Sequence, residues 1–326
     1  MVKNSIKSKV KVLLKRLGLL EKLKTLKGTG LKNRTDTNPK YYGSSFIHSM
    51  EEGNEKIVEL LQSDKPCMIS RFGNTELSTI HYYEENNGYE NILNWPEEYK
   101  IELNKKSGFF PATNEMLSKF SELFLEHTKN IDLLGVWYHA GEDIIVNKFI
   151  PNAFLAPLRS LEPYYFANPW SSKALKNKKI LVIHPFAASI IKQYNTNRQK
   201  LFEADVLPEF SLDAIPAVQS LVLDNSKFST WFDAFDFMCS EIKGKDFDIA
   251  IIGAGAYGIP LASFVKNIGK KAIHLGGSTQ ILFGIKGKRW DDHPVISLLY
   301  NEYWERPSVE ETPIDKDRVG DDGSYW

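Results

Sequence analysis

One segment near the end of the chain constrains the fold most: a strand, a glycine-rich turn, a helix and a second strand follow one another directly. The strands are predicted over Phe247–Ile252 and Lys271–Leu275, and the helix over Pro260–Ile268. The turn between them has the pattern G-x-G-x-x-G, formed by Gly253, Gly255 and Gly258. This succession is typical of a βαβ unit, in which both strands belong to one parallel sheet.

Short apolar runs and amphipathic stretches alternate through the rest of the chain as well. Further strands are predicted at Lys65–Ser70, Asn130–Trp137, Lys179–His184 and Asp213–Val222. Helices are predicted at Ser45–Leu61, Phe72–Tyr83, Trp95–Asn104, Thr113–Lys129, Ala187–Tyr194 and Phe228–Ile242. The fold class is therefore α/β, with a Rossmann-like doubly wound, mostly parallel sheet flanked by helices.

The glycine pattern is typical of dinucleotide-binding sites, but one element of such sites is absent. A NAD site needs an Asp or Glu near the end of the second strand, to bind the ribose hydroxyls. Here that strand reads Ala272-Ile-His-Leu-Gly-Gly277. We therefore expect the loop to face a phosphate or a sugar. A nicotinamide-dependent oxidoreductase is the alternative function, and a purely structural turn is the alternative role.

A second candidate site follows the first predicted strand, where a helix begins after a glycine. Arg71 can pair with a phosphate through two parallel hydrogen bonds, and Gly73 lets the backbone approach a ligand closely. The helix N-terminus favours an anion. Asn74 and Glu76 are two residues apart, so the sequence predicts that both oxygens meet one hard cation. The structural alternative is a helix cap at Asn74 supported by Glu76.

The third candidate site begins with Gly276–Gly277, which ends the last predicted strand at the edge where ligands bind in parallel sheets. Gln280 can hydrogen-bond a base or a sugar hydroxyl. Three basic side chains can neutralise a diphosphate: Lys286, Lys288 and Arg289. A solvated basic turn is the alternative interpretation.

Two carboxylates, Glu142 and Asp143, follow the predicted strand Asn130–Trp137 and are the candidates for a general base, with helix capping as the alternative. The signatures of serine hydrolases, zinc proteases, P-loop proteins and kinases are absent from the sequence. Cys67 and Cys239 both lie in apolar runs and do not form a zinc motif. Few cysteines and no signal peptide favour a cytoplasmic location.

The overall neutral charge hides a strongly basic N-terminus. Residues 1–34 carry eleven Lys/Arg and the single acid Glu21, a net charge of +10, so the remainder carries −10. Leucines at helical spacing between these lysines predict a basic amphipathic helix within residues 1–38, followed by a larger domain over residues 39–326. Such a helix binds anionic membranes peripherally, on the inner face of the cell membrane. A solvated tail and a helix docked on the acidic remainder stay open. We expect no nucleic-acid partner, because no binding motif accompanies the charge.

Taken together, the motifs resemble bacterial GT-D-like glycosyltransferase domains over roughly residues 45–326. The segments that carry the resemblance are Arg71-Phe-Gly-Asn-Thr-Glu76, Gly108-Phe-Phe-Pro111, Glu162-Pro-Tyr-Tyr with Pro169-Trp170, Ile183-His-Pro-Phe186, Gly253–Gly258, and Leu275-Gly-Gly followed by Phe283-Gly-Ile-Lys-Gly-Lys-Arg-Trp290. Their agreement in order is more specific than any one of them alone.

The resemblance implies a GT-D type fold and a hexosyltransferase. Such an enzyme moves a sugar from a nucleotide-diphosphate-sugar to a glycan or lipid-linked acceptor in surface polysaccharide or glycoprotein glycan synthesis. It also implies a divalent metal ion, Mn²⁺ or Mg²⁺, bound by an Asp-x-Glu motif. The matching positions here are Asn74 and Glu76, so this chain lacks the Asp. A non-catalytic sugar-binding or partner-binding module is a further alternative.

Overall fold

The computed structural model describes residues 38–90, 93–219, 227–314, 316 and 323–326. The chain divides into two units, Met1–Lys40 and Tyr41–Trp326. All the strands and helices of the described residues belong to the second unit. The predicted N-terminal helix lies outside the described residues.

A seven-stranded sheet forms the centre of this unit, and every neighbouring pair of its strands is parallel. Its strands are β3 (Cys67–Ser70), β4 (Leu133–Val136), β5 (Phe154–Pro157), β6 (Lys179–Ile183), β7 (Ser211–Ile215), β8 (Ile249–Ile252) and β9 (Lys271–His274). They lie in the order β5-β4-β3-β9-β8-β6-β7. A two-stranded antiparallel hairpin precedes the sheet, formed by β1 (Tyr41–Tyr42) and β2 (Ser45–Phe46).

Helices connect the strands and cover the sheet. In chain order they are α1 (Met50–Gln62), α2 (Asn74–Glu85), α3 (Glu97–Ser107), α4 (Asn114–Thr128), α5 (Glu142–Phe149), α6 (Trp170–Ala174), α7 (Ala187–Leu201), α8 (Trp231–Lys243), α9 (Gly258–Asn267) and α10 (Ser278–Leu282). Capping boxes begin two of them, with Ser49 before α1 and Thr230 before α8. These side chains accept hydrogen bonds from backbone N–H groups that a helix start leaves without partners.

Two apolar cores lie on the two faces of the sheet. Successive side chains of a strand point to opposite faces, and β8 illustrates this: Ala250 and Ile252 enter one core, while Ile249 and Ile251 enter the other. Burial on both faces explains why the strands read as continuous apolar runs. The doubly wound α/β prediction is confirmed.

The sequence did not predict β5, although its residues Phe154–Pro157 pair in register with all four residues of β4. The strand is short and ends in proline, which cannot donate to a neighbouring strand. It lies at the edge of the sheet, where proline is tolerated. The helix α5 was not predicted either.

The strands β3 and β9 are neighbours in the sheet although some 200 residues separate them. The sheet has a topological switch point between β6 and β8, because the chain leaves β6 toward β7 and leaves β8 toward β9, in opposite directions. Connections that diverge in this way leave a crevice at the carboxyl ends of the strands. Among the described residues, no helix combines the length and apolar character that crossing a bilayer requires.

Candidate functional site

A cavity of about 420 Å³ opens at the switch point, beyond the carboxyl ends of the central strands. The three loops that the sequence predicted as candidate sites, after β3, β8 and β9, all contribute to its walls. The described C-terminal residues Ser324–Trp326 form part of another wall. The parallel sheet brings these loops together because all of its strands end at one edge.

Arg71 follows β3 directly and is the most confined cation of the cavity. Its guanidinium carbon lies 4.2 Å from the centre of the Trp137 ring. Its Nε and the Trp137 Nε1 are both buried, and neither has a hydrogen-bond partner among the described residues. Burial lowers the pKa of Arg71, and the charge of Glu76 opposes that shift. Two donors without partners in one cavity indicate a ligand rich in acceptor oxygens.

The start of α2 lies beside Arg71. Gly73 is the N-cap residue and offers no side chain to the first-turn N–H groups. A Cβ at Gly73 would overlap Glu76 Oε2, so the carboxylate folds back over this glycine. The N-terminus of α2 favours an anion, and the Glu76 carboxylate already lies against it on the wall that holds Arg71.

The glycine-rich loop after β8 contributes backbone to the cavity wall and no charged side chain. A Cβ at Gly253 would lie 2.6 Å from the carbonyl oxygen of Gly276 and 2.7 Å from the His184 ring. Gly255 has a positive φ of 53°, which favours glycine, and it also lines the cavity. Gly258 does not line it. Its Cα lies against the ring of His274, so this glycine serves the packing of α9 on β9.

The polar residues predicted after β9 divide between the cavity and the protein interior. Arg289 lines the cavity, with its guanidinium carbon 4.9 Å from the centre of the Tyr325 ring. Gln280 is fully buried and donates from Nε2 to the carbonyl oxygens of Lys286 and Tyr325, at 2.8 Å each. Gln280 therefore stabilises the backbone of the cavity wall from the protein interior. Lys286 lies outside the lining, with its Nζ 5.3 Å from the centre of the Tyr300 ring.

The structure does not bring Glu142 and Asp143 to the cavity, and neither residue lines it. The Glu142 carboxylate is buried and accepts hydrogen bonds from the backbone N–H groups of Trp137, at 3.0 Å, and Tyr138, at 2.7 Å. Burial raises its pKa to about 7. Asp143 is exposed in the first turn of α5. Glu142 holds the turn after β4, which corresponds to the capping alternative.

Glu162 was not predicted as a site residue from the sequence. It follows β5 between two short 3₁₀ turns and lines the cavity. Its Oε1 accepts a hydrogen bond of 2.5 Å from the Ser278 hydroxyl. Burial raises the pKa of Glu162, and Ser278 and Arg159 oppose the shift. A prediction of β5 would have exposed Glu162 as a carboxylate at a strand end.

The predicted metal ligands do not converge on one point. Asn74 and Glu76 are the first and third residues of α2, and residues two apart in a helix face different directions. Both residues line the cavity, but Asn74 is exposed, while Glu76 is buried against Gly73. Within the described ranges, no group of three or more His, Cys, Asp or Glu could hold a metal ion. These residues do not fit the divalent ion that the resemblance implies.

No family model matches the chain, and no curated protein matches it at a significant level. Among solved structures, the selenomethionine-substituted structure of domain of unknown function 1792 (DUF1792) is similar. The match has a TM-score of 0.39 and 11% sequence identity, over 83% of this chain and 94% of that chain. A similarity at this level does not assign an activity, so the function has to be inferred from the residues of the cavity.

Proposed function

We propose that the protein is a hexosyltransferase that uses a nucleotide-diphosphate-sugar as donor and a glycan or lipid-linked molecule as acceptor. Its role would lie in bacterial surface polysaccharide or glycoprotein glycan synthesis. The proposal is supported by motifs that resemble GT-D-like glycosyltransferase domains and that line one cavity at the switch point of a parallel sheet.

Arg71 carries the proposal. The carboxylates of Glu76 and Glu162 act on its guanidinium, but its buried Nε has no hydrogen-bond partner among the described residues, so it can donate to a further anion. Its planar fork matches two phosphate oxygens, and the N-terminus of α2 beside it favours the same charge. A diphosphate offers enough oxygens to satisfy both.

The cavity also suits the rest of a nucleotide-sugar. Its volume of about 420 Å³ lies within the usual range for small-molecule sites, roughly 300–1,000 Å³. Gly253 and Gly255 line the cavity without side chains, so only their backbone faces a phosphate or sugar there. Aromatic rings at Trp290 and Tyr325 offer surfaces on which a base or sugar can stack.

The reaction can be assigned to these groups. The acceptor hydroxyl oxygen forms a bond to the anomeric carbon while the bond from that carbon to the phosphate oxygen breaks. The nucleoside diphosphate leaves as an anion, whose developing charge Arg71 stabilises. Glu162 accepts the proton of the acceptor hydroxyl, because it is a carboxylate on the cavity wall whose raised pKa makes it a stronger base than an exposed glutamate.

A ligand screen tests the donor class. We expect UDP-, dTDP- or GDP-sugars to raise the melting temperature of the protein, with the corresponding nucleoside monophosphates weaker because they contact Arg71 less. NADH serves as the comparison, and stabilisation by NADH alone would favour the oxidoreductase. Binding of a nucleotide-sugar without any transfer or hydrolysis would favour the non-catalytic module.

A glutamate exchange tests the role of Glu162. We expect Glu162→Gln to lower kcat by roughly 10²–10⁴-fold, the usual contribution of a general base, with little change in donor affinity. The acid limb of the wild-type pH–rate profile should lie above the pH at which an ordinary glutamate titrates, because the pKa of Glu162 is raised. The control is Glu55→Gln on the exposed face of α1. An unchanged kcat would remove Glu162 from the mechanism.

The basic N-terminus belongs to a separate part of the proposal. Its charge of +10 would hold the enzyme at anionic membranes, close to a lipid-linked acceptor. Deletion of residues 1–34 should weaken binding to vesicles of anionic phospholipid while turnover on a soluble acceptor stays the same. Equal vesicle binding by both proteins would end the membrane proposal.

A further inference from the structure

We infer that the cavity binds its diphosphate through two guanidinium groups, Arg71 and Arg289, and works without a divalent metal ion. The inference rests on the proposed function, since it concerns how the same donor is held. It departs from the resemblance, which implies Mn²⁺ or Mg²⁺.

The side-chain oxygens of the cavity that could bind a metal ion already contact other protein groups or belong to an uncharged side chain. Mg²⁺ requires six oxygens in near-octahedral geometry and uses protein carboxylates to hold its place on the phosphates. Of the two described carboxylate side chains that line the cavity, Glu76 folds back over Gly73, and Glu162 accepts a hydrogen bond from the Ser278 hydroxyl. Asn74, where the resemblance implies an Asp, lines the cavity but carries no charge.

Arg71 already supplies the cation that these carboxylates face. The charges of Glu76 and Glu162 both act on it in the direction that favours its ionised form. Gly276 has a positive φ of 60°, and a Cβ there would lie 2.8 Å from Arg71 Nη1. The absence of a side chain at Gly276 thus leaves the space that the guanidinium occupies.

Arg289 is a second cation in the same cavity. Its charge acts against that of Arg71, so the two guanidinium groups repel each other across the cavity. An anion between them removes this repulsion and satisfies the buried Nε of Arg71. Two guanidinium groups carry the charge that one divalent ion would carry, and they remain ionised at any working pH.

Titration calorimetry with UDP, dTDP and GDP tests the inference, with each nucleotide measured in EDTA and in 1 mM MnCl₂ as a roughly saturating concentration for a metal-dependent site. We expect the nucleotide that binds to show affinities within about threefold in the two conditions. A gain of about tenfold or more with Mn²⁺ would overturn the inference while leaving the proposed function intact. Absence of binding by all three in both conditions would overturn both.

Two variants sharpen the test. Arg289→Gln should weaken nucleotide binding in EDTA several-fold, and an unchanged affinity would contradict the paired-guanidinium arrangement. Asn74→Asp restores the Asp-x-Glu pattern at an exposed position in the first helical turn, where an acid is tolerated. We expect this variant to leave the electron paramagnetic resonance spectrum of added Mn²⁺ alone unchanged, as wild type does. Broadening with either protein would reveal a metal site.

Discussion

The turn after β3 and the loop after β8 follow two strands of one sheet and line one cavity, yet they contribute different chemical groups to it. The turn brings a desolvated cation, Arg71, and the N-terminus of α2. The loop brings bare backbone at Gly253 and Gly255. The loop resembles a known motif more closely, whereas the turn holds the groups that can discriminate a ligand. A glycine motif therefore indicates where a ligand fits, and charge indicates which ligand.

The largest expected effect comes from removing the charge of the turn. Arg71→Gln should lower the affinity for a nucleoside diphosphate by about 100-fold or more, because hydrogen bonds to charged groups contribute about 1.5–3 kcal/mol each. Titration calorimetry measures this, and Arg198→Gln on α7, outside the cavity, is the control. If the variant is less stable but binds the nucleoside diphosphate as tightly as wild type, Arg71 has a structural role instead of a binding role.

Glu142 is also a carboxylate that follows a strand, but it supports the turn after β4 and does not line the cavity. It therefore tests whether a charged residue at a strand end always binds a ligand. Its pKa is raised from 4.5 to about 7 on folding, so the folded state holds the proton more tightly. The stabilisation is therefore fully present below pH 4.5 and is lost as pH rises through 7. We expect this loss to reach roughly 3 kcal/mol.

Urea unfolding of wild type and Glu142→Gln at pH 5 and pH 8 measures this difference. The variant does not titrate at this position, so its stability relative to wild type should rise between the two pH values. Parallel behaviour of the two proteins would mean that Glu142 is ionised in the folded state throughout. The affinity for the nucleotide-sugar donor should not change together with this difference in stability.

In the loop after β8, Gly253→Ala should lower the stability of the fold. Its Cβ would lie 2.6 Å from a backbone oxygen, which moves only with the chain around it. We expect a loss of about 2 kcal/mol in the free energy of unfolding, within the range for overpacked sites. Gly244→Ala is the control, since its Cβ would meet the Glu241 oxygen at an ordinary 3.4 Å and its φ is −75°. Equal stability of both variants would contradict the close approach.

Gly255→Ala should give the smallest effect, about 1 kcal/mol, since a left-handed backbone costs a residue with a Cβ roughly that amount. Gly269→Ala is matched to it, with a positive φ of 82° and open space around the added methyl group. Both should lose about this much stability in urea unfolding, with a further small loss for Gly255→Ala, because its Cβ would lie 3.0 Å from the Ser107 carbonyl oxygen. Only Gly255→Ala should also weaken nucleotide binding, because Gly269 does not line the cavity. Equal affinities would remove Gly255 from the ligand surface.

Much of the fold could be predicted from the sequence because buried parallel strands read as apolar runs with helices between them. The strands β3, β4, β6, β8 and β9 were predicted in this way, while β7 ends earlier than the predicted Asp213–Val222. Edge strand β5 was not predicted, because four residues ending in proline give no periodic signal. The strands between the two edges are therefore the ones that the sequence defines best.

The candidate site was predicted in part, since the sequence located the loops but not the direction of their side chains. Seven residues proposed from the sequence line the cavity, and their binding roles stay predictions: Arg71, Gly73, Asn74, Glu76, Gly253, Gly255 and Arg289. Gln280 and Glu142 instead bind backbone groups inside the protein, and a sequence does not show which backbone groups lack partners. Glu162 was missed together with β5, the strand that carries it to the site.

The junction of β3 with β9 has a consequence for how the protein acquires its site. Contacts between segments about 200 residues apart form at a high cost in chain entropy, and they tend to form late in folding. Arg71 and Gly276 meet only across this junction. The cavity therefore exists only in molecules that have completed the sheet, so donor occupancy reports on completed folding. Amide hydrogen exchange along β3 and β9 should slow when the donor is bound.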